Sequence, residues 1–150
     1  NHLPNRFKRT AWTQLFRISN DGTSYETFFQ RVRNRRPITL FIKTSRGEII
    51  GAFVPQGIKL SSNYYGSGES FVFSFVDNLT VYKWSEENDY IISCSQNEIS
   101  VGGGGASAIW LNGDFADGYS EPCGTFKSPT LTTKARFEVI DFEAWGIDCR

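Results

Sequence analysis

Tyr25, Phe28, Phe29 and Val32 recur at i, i+3, i+4 and i+7, the spacing of one face of an amphipathic helix. Ser19, Asn20, Asp21 and Gly22 form a turn cluster ahead of it, Thr23 or Ser24 can cap its first turn, and Pro37 stops it. Before the helix, Trp12, Leu15, Phe16 and Ile18 stand among polar neighbours and predict a short strand from Trp12 to Ile18. Beyond it the apolar period shortens to two. Ile38 to Lys43 and Ile49 to Val54, joined at Arg46-Gly47, predict a hairpin. Phe71, Phe73 and Phe75 alternate with Ser70, Val72 and Ser74 and so share one face of a sheet. Leu79 to Trp84, Tyr90 to Ser93, Glu98 to Val101 and Ala108 to Leu111 follow, separated by polar turns, and Asn112-Gly113 and Asp117-Gly118 mark further turns. Arg136 to Ile147 predicts a closing strand. Many short strands around one clear helix predict a mainly β chain with a few helices (α+β), built as two antiparallel sheets packed in a sandwich, helices at the periphery.

The 150 residues, 15% of them aromatic, are enough for one self-sufficient core, so residues 1–150 read as a single domain. Without a methionine, the numbered chain reads as a portion excised from a longer protein. No apolar run reaches the roughly 18 residues of a membrane span, and no leader is evident. Cys94, Cys123 and Cys149 are odd in number and widely spaced, which fits reduced cytoplasmic thiols better than a disulfide framework. With His2 the single histidine, neither a zinc ligand set nor a Cys-His or Ser-His nucleophile can be assembled. No enzyme, no metal and no cofactor are expected.

The formal net charge of zero hides a polarity. Residues 1–60 set eleven bases against Asp21, Glu26 and Glu48, an excess of +8, whereas residues 61–150 set five bases against thirteen acids, an excess of −8. Arg31, Arg33, Arg35 and Arg36 are the densest basic cluster, at the expected helix end. There they either complement the helix dipole as a solvated face or meet an acidic partner surface or anionic lipid. Nucleic acid is not expected, because no aromatics interleave the cluster and the domain as a whole is neutral.

Three other features carry candidate chemistry. Gly66-Ser67-Gly68-Glu69 lacks the third glycine and the lysine of nucleotide-binding loops and precedes a strand, so it reads as a turned loop delivering Glu69, a functional or structural carboxylate. Gly102 to Gly105 reads as close backbone packing against Trp110 or Phe115. Cys123 is a candidate redox thiol, although neighbouring Glu121 disfavours its thiolate.

Phe53, the run Gly66 to Phe73, Tyr82-Lys83-Trp84, Tyr90-Ile91-Ile92, Gly102 to Gly105, Ala108 to Leu111 and Phe137 to Gly146 together resemble a TLDc domain, in order and in spacing. Leu3-Pro4, Trp12, Leu15-Phe16 and Asp21-Gly22 match its start, so the resemblance spans nearly the whole chain. It implies a two-sheet sandwich, protection against oxidative stress, and binding to the V1 sector of the vacuolar proton pump (V-ATPase). In members fused to a TBC domain it implies vesicle trafficking, with small-GTPase machinery or an anionic membrane surface as partner. The cysteine of the family proposed for redox work falls on Cys123, which leaves weak direct antioxidant action as a further reading. The expected protein is a cytoplasmic monomer at endosomal, lysosomal or synaptic vesicle membranes, with mitochondrial or nuclear forms left open.

Overall fold

The computed structural model describes residues 12–147. His2, Leu3, Pro4 and Cys149 lie outside them.

The chain enters as β1 (Trp12–Arg17), makes a single helical turn α1 (Ile18–Asp21), and continues into α2 (Tyr25–Val32). Ser24 caps α2, its hydroxyl accepting the Thr27 N–H at 3.4 Å, as the sequence predicts. Tyr25, Phe28 and Val32 of the apolar face are buried, and Phe29 packs at the edge of the core. Ile18 belongs to α1 and not to the strand before it, because the Arg17 N–H turns back to the Asp21 carboxylate at 2.9 Å.

The rest of the described chain is β: β2 (Ile38–Thr44), β3 (Ile49–Val54), β4 (Phe71–Phe75), β5 (Leu79–Lys83), β6 (Ile92–Cys94), β7 (Ile99–Val101), β8 (Ile109–Leu111), β9 (Asp117–Tyr119) and β10 (Arg136–Ile147). In place of two separate sheets, the strands form one ten-stranded antiparallel sheet in the order β5-β4-β3-β2-β10-β9-β8-β7-β6, with β1 also on β10. The cause is the 12-residue length of β10 together with a register shift between Val139 and Asp141. Arg136–Glu138 pair with β9, whereas Asp141–Gly146 pair with β2 on one side and Glu143–Ile147 with β1 on the other. Asp117-Gly118, expected as a turn, lies inside β9. A Cβ on Gly118 would come within 2.1 Å of the Trp110 carbonyl oxygen, so glycine serves close strand approach there.

Both arms of the sheet contribute to one buried cluster: Ile42, Ile50 and Val72 from one, Ile92, Ile99, Leu111 and Phe137 from the other. At its centre Phe28 meets Phe16 at 5.2 Å, Phe142 at 5.4 Å and Phe115 at 5.5 Å, edge-to-face contacts that favour one arrangement of the rings. Phe71, Phe73 and Phe75 share a face, but it is the one turned away from this core. Val72 points inward, and Phe53, Phe71 and Phe73 form a second cluster with Trp12, Phe41 and Val81 on the opposite side of the sheet.

Candidate docking surface

The four arginines do not share a helix end. Arg31 occupies the last turn of α2, but Arg33 has already left helical geometry at a ψ of 131°, and Arg33, Arg35 and Arg36 lie in the connection to β2. The Arg35 N–H donates to the Val32 carbonyl at 3.0 Å, Asn34 takes a positive φ of 59°, and the Arg36-Pro37 peptide is cis. Favourable interaction with the helix dipole therefore concerns Arg31, which also reaches Asp21 at 3.4 Å. Among the described residues, Arg33, Arg35 and Arg36 form no ion pair, and Arg33 and Arg36 are exposed.

Gly57 holds this connection in place. Its φ is +79°, and a Cβ there would stand 2.4 Å from the Arg35 carbonyl oxygen, so the segment after β3 fits against the arginines only as glycine. Ile58, Lys59 and Leu60 then run alongside α2 and enclose with it a groove of about 990 Å³. Arg33 and Lys59 supply its bases and Glu26 its one acid, while Phe29, Ile58 and Leu60 supply apolar surface. Leu60 is 51% exposed. The Lys59 ammonium lies 4.7 Å from the centre of the Tyr65 ring, held by the ring face and by no carboxylate among the described residues.

The remaining candidates stand elsewhere. Glu69 is exposed in the turn before β4, where its N–H donates to the Ser67 hydroxyl. Gly66 and Gly68 of that turn fit against Ile91 and the Trp84 ring. Cys123 is 3% exposed and its backbone bridges to Ser128. Its Sγ lies 3.9 Å from the Gly103 carbonyl oxygen and 2.6 Å from where a Cβ on Gly102 would sit. The glycine run thus packs against Cys123, Tyr64 and Tyr90, not against Trp110 or Phe115. Thr125 fastens it, accepting the Gly103 N–H at 3.1 Å. Cys94 is fully buried, and burial pushes its thiol up to about 12.

Sequence reasoning missed the outer face of the sheet. Trp12, Phe41, Phe73, Val81 and Trp145 line a groove of about 870 Å³ there, with Phe75 and Leu79 nearly half exposed at its rim. Arg17 crosses one end, 2.7 Å from Asp141 and 3.9 Å from Glu143, and the hydrogen bond and charge of Asp141 raise the guanidinium further above its ordinary range. The alternation of Phe71, Phe73 and Phe75 was a signal that these rings share a face, but not that the face is open.

The family model described as TLDc domain matches residues 1–148. Oxidation resistance protein 1 of Homo sapiens is 36% identical over 149 residues, a match covering 98% of this chain and 17% of that protein. Nuclear receptor coactivator 7 of Homo sapiens is 35% identical over 148 residues, covering 97% of this chain and 16% of that protein. Oxidation resistance protein 1 of Xenopus tropicalis is 35% identical over 149 residues. The chain spans about one sixth of the length of the relatives it matches.

Proposed function

This chain belongs to the TLDc domain family, and from that premise we propose that it is a non-catalytic docking domain of the oxidation resistance group whose partner is the V1 sector of the vacuolar proton pump. The observation that carries the docking reading is the connection holding exposed Arg33 and Arg36 and half-buried Arg35, three charges on a neutral domain with no carboxylate partner among the described residues. Unpaired surface charge adds little to the stability of a fold, whereas it steers and orients an encounter with an acidic surface. The choice of V1 rests on the family resemblance. The buried position of Cys123 favours docking over direct antioxidant chemistry, since a thiol that scavenges oxidant has to be reached by it.

The test is capture of purified V1 by the immobilised chain at low and high salt. Wild-type chain should retain V1 at low salt and release it as salt rises, and a chain with Arg33, Arg35 and Arg36 each replaced by glutamate should not retain it. Equal retention by both chains would remove this segment from the interface.

A further inference from the structure

We infer that the groove between α2 and residues 58–60 is a binding site for an acidic peptide segment carrying apolar anchors. The inference deepens the docking reading and rests on it, since Arg33 belongs to both.

The groove combines an apolar floor, from Phe29, Ile58 and the half-exposed Leu60, with two cations, Arg33 and Lys59. Neither cation has a carboxylate partner among the described residues. The groove is also polarised along its length. At one end the residues after β3 fit against the arginine connection, Gly57 touching the Arg35 carbonyl. Toward the other end Tyr25 donates its hydroxyl to the Asn112 carbonyl at 2.6 Å, and Glu26 stands in the first turn of α2. A segment lying here meets positive charge where Arg33 and Lys59 line the groove. Its carboxylates pair with them while its apolar side chains cover Phe29 and Leu60. Complementary charge fixes register and direction, and the buried apolar contacts supply most of the binding energy.

The same features argue for a peptide and against a membrane. Glu26 lines the same groove as Arg33 and Lys59, and a planar anionic surface is repelled by it, whereas a segment in the groove places its carboxylates away from Glu26.

The test uses the 150-residue chain and three probes: a short fluorescein-labelled peptide alternating glutamate with leucine, its lysine-for-glutamate counterpart, and phosphatidylserine vesicles. The glutamate peptide should bind, and Leu60→Ser should weaken it about tenfold without lowering the thermal midpoint, because Leu60 is half exposed. Arg33→Glu combined with Lys59→Glu should weaken it at least about tenfold and bring in the lysine peptide instead. Unchanged binding in both variants overturns the proposal, as does capture by vesicles with no binding of the glutamate peptide. Capture of V1 by the same variants separates this inference from the docking reading. If V1 retention survives Leu60→Ser and Lys59→Glu but is lost with Arg35→Glu and Arg36→Glu, the groove is not the site and the docking reading stands. If the peptide responds as described while V1 is not retained by wild-type chain, the groove stands and the partner is another acidic protein.

Discussion

The Thr133 backbone N–H donates to Glu48 Oε2 at 2.7 Å, and the Thr44 hydroxyl donates to Oε1 of the same carboxylate at 3.1 Å. One buried side chain thus fastens the β2–β3 turn to the loop that leads into β10. Burial by itself raises the Glu48 carboxyl, but the hydrogen bonds from Thr133 and Thr44 and the charge of Arg46 outweigh it and hold the group below its ordinary range. The folded state therefore binds this proton less readily than the unfolded chain. The resulting stabilisation is present above the unfolded value of about 4.3 and is lost as pH falls through the folded one. Glu48→Gln should cost about 1–3 kcal/mol at neutral pH, with the difference from wild type narrowing in acid. Urea unfolding of both chains at neutral pH and at about pH 3 measures it. A constant difference across that range would show that the carboxylate charge has no part in the effect.

Cys94 and Cys123 should resist thiol reagents while the chain is folded. Both are buried, and Cys94 is further disabled because burial opposes its ionisation. In a Cys149→Ser background, labelling by Ellman's reagent should be at least about a hundredfold slower in buffer than in urea. Peroxide consumption should be the same for the wild-type chain and for Cys123→Ser. Rapid labelling of Cys123 under native conditions would return the direct antioxidant reading to favour.

Gly57→Ala should damage both stability and docking. The added methyl meets the Arg35 carbonyl, and the positive φ is strained for any other residue. The expected loss is about 1–3 kcal/mol, read as a lower thermal midpoint, together with weaker V1 retention as the arginine connection shifts. Weaker retention without a lower midpoint would mean that Gly57 itself touches the partner.

Arg31 should prove separable from its neighbours. Because it pairs with Asp21 on the surface, Arg31→Ala should change stability by no more than about 1 kcal/mol and leave V1 retention largely intact. Arg35→Glu and Arg36→Glu together should lower retention and flatten its salt dependence. Measuring retention at several salt concentrations for each chain distinguishes the two cases.

Truncating the aromatic centre tests the core. Phe28 meets Phe16, Phe115 and Phe142 and is fully buried, so Phe28→Ala should cost about 3–5 kcal/mol. Phe75→Ala, on a ring 44% exposed, should cost much less, and equal losses by urea unfolding would mean that the two rings are equally buried.

What the sequence makes legible is what short-range pattern encodes. Tyr25, Phe28, Phe29 and Val32 announce α2 because helical spacing is local, and Ser24 announces its start for the same reason. The union of the strands into one sheet was hidden, because it depends on how residues 136–147 divide between partners far away in the chain. Gly118 misled because glycine marks tight turns and close strand contacts alike. The basic cluster was visible as composition. The groove beside it was not, since Ile58 to Leu60, Asn97 and Gly113 reach α2 from separate stretches of chain. Alternation placed Phe71, Phe73 and Phe75 together but carries no information on which side the core lies.

The position of β10 sets a timetable. This strand completes the hydrogen bonding of β1, β2 and β9, yet it follows all of them in the chain. On the ribosome, β2 and β9 emerge with one flank unsatisfied and stay so until β10 leaves the exit tunnel. Neither arm can be finished before β10 arrives, so β2 and β9 carry open edges until then. Such edges are where neighbouring chains pair wrongly, and the order of the strands leaves them uncovered until β10 is in place.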